Sequence, residues 1–250
     1  MTTHHRLALS RKTVAILVKL IATTVVLVQC TSAPQPPAAA APASVTPSAP
    51  STPSSRAAAP AAPAPAAAIV HPVTSTDLGA SWRPGCPVGP EQLRRVEVNH
   101  IGLDGRTHRG ALIVNHDLVS EVIAIFEQLY ELRYPIEKIR TVDRYPGADD
   151  ELSMRDNNTS GFNCRGIPGT DHWSQHAYGR AIDVNPLLNP FIDSAGVFEP
   201  ANAAPYLDRG RSDPGLLHKG DPAVLVFTNH GWQWGGFWRT PIDYQHFERP

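Results

Sequence analysis

The stretch Asp171–Pro186, DHWSQHAYGRAIDVNP, holds two histidines four apart, His172 and His176, and an aspartate seven beyond the second, Asp183, all of types that can bind metals. His172 and His176 have the i, i+4 spacing of a helical H-E-x-x-H zinc motif. The residue after His172 is Trp173, however, so the glutamate base of that motif is missing. The stretch is also a poor helix. Pro168 and Gly169 precede it, Gly179 interrupts it, and AIDVNP reads as a short strand ending in a turn. Another ligand set fits better. A hydrolytic zinc site needs three protein ligands and one open position for water. His176 and Asp183 flank the Gly179 turn and can face one point. Near the C-terminus, DYQHFE sets Asp243 three residues before His246. A bend at Tyr244–Gln245 can bring both to that point. His246 then completes the ligand set, and Asp243 contacts the bound water as a general base. Glu248 is the rival base, with a surface salt bridge as its plainer role.

The elements that must position these residues are legible in outline. RRVEVNHIGLDG alternates Val96, Val98 and Ile101 against polar neighbours and reads as a strand entering a hairpin, with GALIVN as a second strand. DLVSEVIAIFEQLYELRYP is the clearest helix. Asp117 can cap it, Leu118, Val122, Ile125, Leu129 and Leu132 form its apolar stripe, and Pro135 stops it. IRTVDRY reads as a strand, and DELSMRDNNTSGFNCRGIPGT as a polar loop with a short strand near GFNC. DPAVLVFTNHG has a cap at Asp221, Pro222 at the first helical position and Gly231 as the stop, with His230 as a C-terminal cation. WQWGGFW and DYQHFE follow as strands, and Trp232, Trp234 and Trp238 belong to the core by default, with one free to line a groove. Strands and helices mix without regular βαβ alternation, so the expected class is α+β.

Composition divides the chain of 250 residues. Residues 1–30 read as a signal peptide, with a basic front (Arg6, Arg11, Lys12) before VAILVKLIATTVVLV. That run is about fifteen residues and includes Lys19, whereas a spanning helix needs roughly 20 apolar residues. LVQC, Leu27–Cys30, resembles a bacterial lipobox that would place a lipid on Cys30. Residues 31–80 read as a disordered tether. Ten prolines and sixteen alanines in residues 31–70 leave almost no large apolar side chain to bury. Residues 81–250 then form one domain. The expected location is outside the cell, in the envelope, either as a membrane-tethered lipoprotein or secreted to the wall. All 23 acids lie beyond residue 76 and four of the 22 basic residues lie in the signal, so the exported part carries 18 − 23 = −5. That argues against nucleic acid as a partner. Beyond Cys30 two cysteines remain, Cys86 and Cys164, and in an exported protein the pair is expected to form a disulfide. The alternative is a Cys164 nucleophile with a histidine as base.

Ser174-x-His176-x-x-Gly179-x-Ala181-x-Asp183 resembles the S-x-H-x-x-G-x-A-x-D motif of the M15 zinc peptidases. These include D-alanyl-D-alanine carboxypeptidases, dipeptidases of the vancomycin-resistance type and L-alanyl-D-glutamate endopeptidases of phage lysins. The closing D-x-x-H, Asp243 and His246, and the upstream GWQWGGFW resemble the endopeptidase-like branch. The resemblance covers roughly residues 95–250. It implies a small mixed, mainly antiparallel sheet flanked by helices, with Zn2+ at the sheet held by His176, Asp183 and His246. It implies Asp243 as catalytic base and Ser174 beside the site, bonded to substrate or to a ligand. It also implies an arginine that steadies the oxyanion, for which Arg165 is the first candidate and Arg155 the second. The expected substrate is an amide bond in a peptidoglycan stem peptide. The rival reading is a non-catalytic, zinc-bearing wall-binding module.

Overall fold

The computed structural model describes residues 66–250. The signal peptide, Cys30 and the tether up to residue 65 lie outside the described residues. Within them the folded part begins earlier than residue 81. Strand β1 (Ile69–Pro72) pairs antiparallel with β2 (Leu93–Ile101), and helix α1 (Ser75–Leu78) carries a capping box between Thr74 and Asp77. The composition-based boundary misses this segment because β1, exposed along its length, is held by backbone pairing to β2, and only Val73 after it is buried.

β2 and β3 (Thr107–Asn115) form the expected hairpin, in register from Leu93–Asn115 to Ile101–Thr107. Val96, Val98, Leu112 and Val114 face helix α2 (Val119–Glu131), which buries Val122, Ile125, Phe126 and Leu129. Two details of that helix depart from the sequence expectation. Asp117 does not cap it: Asn115 accepts from the Asp117 amide, and Asp117 pairs with Arg180 at 2.7 Å. Leu132 lies past the last helical residue, off the stripe, and is 49% exposed. IRTVDRY forms a strand only at β4 (Lys138–Ile139), before a 3-10 turn at Val142–Arg144. The polar loop after it contains helix α3 (Asp150–Arg155), capped by Asp149, and the two-residue strand β5 (Asn158–Thr159), parallel to β4. Cys86 and Cys164 are joined, with Cα atoms 5.9 Å apart, against a satellite core of Leu78, Leu93, Ile113 and Phe162.

Beyond residue 160 short strands replace long ones. β6 (Ala181–Asp183), β11 (His246–Glu248) and β9 (Gln233–Trp234) make one antiparallel sheet, in the order β6–β11–β9. β10 (Ile242–Asp243), β7 (Phe191–Ile192) and β8 (Phe198–Glu199) make another, in the order β10–β7–β8. DYQHFE is thus two strands in two sheets, separated by the bend at Tyr244–Gln245. Helix α4 (Pro222–Asn229) closes the core with Val224 and Phe227, and Phe227 stacks on Phe247 at 3.9 Å. The class is α+β, with helices around small, mainly antiparallel sheets. Among the described residues no helix is long and apolar enough to cross a membrane.

Candidate metal centre

The spacing of His176 and Asp183 has a local cause. Ser174 caps a 3-10 turn, Gln175–Tyr178, by accepting from the His176 amide. Gly179 ends the turn in the left-handed region at φ +69°, and the chain enters β6, whose last residue is Asp183. A Cβ on Gly179 would come within 2.7 Å of the Asn115 backbone nitrogen. Gly179→Ala therefore adds that clash to the ~1–2 kcal/mol that a left-handed conformation costs an L-residue. Thermal melting should show at least that loss. A variant that melts like the parent would remove Gly179 from this role.

His246 reaches the same point through sheet register, because it pairs directly with Asp183. Alternation along β11 sends Phe247 into the core, fully buried, and leaves His246 and Glu248 on the opposite face. The result is a buried group in which one ligand atom from each of His176, Asp183 and His246 lies within 4.8 Å of the others. His176 Nε2 is 3.1 Å from Asp183 Oδ2 and 3.2 Å from His246 Nδ1, and His246 Nδ1 is 3.0 Å from Asp183 Oδ1.

The outer nitrogens show which atoms are free for a metal. His176 Nδ1 lies 2.6 Å from the Gly161 carbonyl, which only accepts, so Nδ1 carries the proton and Nε2 presents its lone pair. His246 Nε2 lies 3.2 Å from Glu248 Oε2, which likewise assigns that proton and turns Nδ1 inward. Two imidazole lone pairs and a carboxylate, all buried, match the donors zinc takes in a three-ligand site with an open position. Without a metal the group holds charge instead. Burial disfavours an imidazolium at His246, but Asp183 and Glu248 outweigh it and raise its pKa to about 10. Burial works against ionisation of Asp183 as well, yet the two histidines hold its pKa well below the usual carboxylate range. A metal takes neutral imidazole, so binding releases the His246 proton.

Glu248 thus holds the candidate ligand His246 through a part-buried contact rather than a surface salt bridge. Outer partners of this kind are worth 10–100-fold in metal affinity. Glu248→Ala should weaken zinc by that factor in competition with a chelator, with melting little changed. Unaltered affinity would leave Glu248 without this role.

Asp243 stands beside the group rather than in it. It belongs to β10, and Gly235 allows it to approach, since a Cβ there would fall 2.6 Å from the Asp243 carbonyl oxygen. Its Oδ1 is sealed from solvent and has no partner among the described residues. Burial is the main cause that raises its pKa, to about 7, with Asp183 adding to it and His246, Arg165 and His176 opposing. A carboxylate balanced near neutral pH, with a vacant oxygen, suits a general base.

Arg165 lies within electrostatic reach of Asp183 and Asp243. Burial lowers its pKa, but the carboxylates of Asp150, Asp183, Asp243 and Glu199 outweigh that and raise it. Its Nε lies 2.9 Å from Asp150 Oδ2, at an angle too poor for a true hydrogen bond. Arg155 is exposed at the end of α3 and makes no ion pair among the described residues. Ser174 is buried, and its bond to the His176 amide steadies a ligand. His172 is exposed beside Asp171 and far from convergence with the others. His230 ends α4, where its Nε2 meets Gln128 at 2.9 Å. Trp232 and Trp234 are core, while half-buried Trp238 lies 5.5 Å from His246, ring to ring, and forms a wall of the site.

A buried His–Asp–His group beside an unpartnered carboxylate oxygen is a donor set that could hold a metal ion. The sequence family described as D-alanyl-D-alanine carboxypeptidase, within the M15 peptidases, matches residues 168–249. That segment, holding His176, Asp183, Asp243 and His246, is similar to the M15 peptidases, which are hydrolytic, zinc-dependent enzymes. Arg165 lies just outside it. No curated protein and no solved structure matches the chain.

Proposed function

We propose that the protein is an exported zinc peptidase that hydrolyses amide bonds in peptidoglycan stem peptides. The observation that carries this is the buried His176–Asp183–His246 group with the unpartnered Asp243 carboxylate beside it. Zinc held by the three would polarise the scissile carbonyl and bring a water's pKa to ~7. Asp243 accepts the proton of the attacking water and returns it to the leaving amine. Arg165 offers its charge to the oxyanion of the tetrahedral stage, and Asp150 holds it from behind. Trp238 gives the peptide an apolar wall. Export rests on the basic front and apolar run of residues 1–30, and a lipid on Cys30 would tie the protein to a membrane while residues 31–68 span the distance to the wall. The D-x-x-H closure resembles the endopeptidase-like branch, whereas the matching family is described as a carboxypeptidase, so both types of cleavage are tested. A non-catalytic wall-binding module has no use for a base beside the metal group or for a half-buried arginine that feels the Asp183 and Asp243 carboxylates.

Mass spectrometry of purified muropeptides after incubation with the zinc-loaded protein tests this. Loss of a terminal D-alanine marks a carboxypeptidase, and release of the stem beyond its first alanine marks an endopeptidase. Muropeptides left unchanged by a protein with full zinc would overturn the proposal.

A further inference from the structure

We infer a second binding site, for a phosphate ester, in a groove on the outer face of the hairpin. The groove has a volume of about 450 Å³, with Arg95, Arg109, Arg140 and Arg144 around it and Glu97 as its one carboxylate. Its lining carries 4 − 1 = +3 charges, against a net −5 for residues 31–250. Strand alternation explains the arrangement. Val96 and Val98 turn inward to α2, so Arg95 and Glu97 turn outward, beside Arg109 from the paired strand. The segment after β4 raises the other wall and brings Arg140 and Arg144.

The arginines are set in place but not neutralised. Glu97 contacts Arg95 Nε at 3.6 Å and Arg109 Nε at 3.4 Å. Arg109 is further held by Asn99 and by the Ala67 carbonyl. Arg140 reaches Asp156 only at 4.0 Å, and Lys138 already holds that carboxylate at 2.7 Å. Arg144 makes no ion pair among the described residues. Residues 1–65 contain no Asp or Glu, so no acidic side chain from them can fill the groove. Asp77 and Asp143 line the adjoining groove and bound the positive region on that side.

Guanidinium forks match phosphate oxygens two at a time. The volume exceeds what a bare ion needs and falls in the range of small-molecule sites of ~300–1,000 Å³. The ligand class is therefore a phosphate with the polyol or sugar it esterifies, either free or as one unit of a polymer. This site stands independently of the peptidase reading.

The test is calorimetric titration of the purified full chain with glycerol 3-phosphate, inorganic phosphate, glycerate and a poly(glycerol phosphate) chain. Glycerol 3-phosphate should bind more tightly than inorganic phosphate and glycerate. Arg140→Ala with Arg144→Ala should weaken it by at least ~10-fold, since a hydrogen bond to a charged group contributes about that factor. Arg211→Ala, a partly exposed arginine paired with Asp213 outside the groove, should bind like the parent. The double variant should melt normally and still cleave a small stem peptide. A polymer that binds ~10-fold more tightly per chain than the monomer assigns the source to a polymer, and equal binding assigns it to a free ester. No binding of glycerol 3-phosphate, equal binding of glycerate, or an equal loss in Arg211→Ala would overturn the site.

Discussion

Asp243→Asn is expected to keep its zinc and its melting temperature while cleavage of a stem peptide falls by at least ~10²–10⁴-fold, the usual contribution of a general base. The amide is nearly isosteric with the carboxylate but takes no proton near neutral pH. The geometry makes the separation of effects sharp. Asp243 is not one of the converging ligand residues, so its loss leaves the His176–Asp183–His246 group whole. Its Oδ1 has no partner among the described residues, so the fold loses no hydrogen bond there. A ligand role would instead show zinc affinity falling together with rate. A structural role would show lower melting with cleavage retained. Normal cleavage by this variant would remove Asp243 from the chemistry.

Arg165→Ala should lower kcat by ~10²–10³-fold, the measured scale for a lost oxyanion donor. Zinc content should hold, because no guanidinium atom belongs to the ligand group. Arg165→Lys separates charge from shape: the ammonium keeps the charge but lacks the planar fork, and only partial rescue is expected. Asp150→Asn adds a further check on the pair. It leaves Arg165 in place without its rear counter-charge, so a loss in kcat smaller than that of Arg165→Ala is expected. A full rate in Arg165→Ala would exclude the arginine from the mechanism.

The parts of the site that were legible in the sequence are those set by local rules. Gly179 announces the turn that brings His176 and Asp183 to one face. The bend at Tyr244–Gln245 follows from needing both Asp243 and His246 at one place, and the structure resolves it as a change of sheet. Glu248 was readable by the same rules: in His246-Phe247-Glu248 the middle residue is core, so the outer two share a face. Asp150 had no such signal, since a helix inside a polar loop and a partner 15 residues on are joined only by tertiary packing. The strand expected at IRTVDRY failed for a related reason. Its β-formers were present, but only Lys138–Ile139 found a partner strand, and the remainder closed into a 3-10 turn. The early start of the domain at β1 was hidden because four residues of strand follow an Ala/Pro tract.

Metal analysis of the purified protein and two single variants tests the account most directly. The parent should hold one zinc per chain after removal of loose metal, His246→Ala should lose most of it, and His172→Ala should keep it all. Full zinc in His246→Ala, together with loss in His172→Ala, would contradict the ligand set on which the proposed peptidase rests.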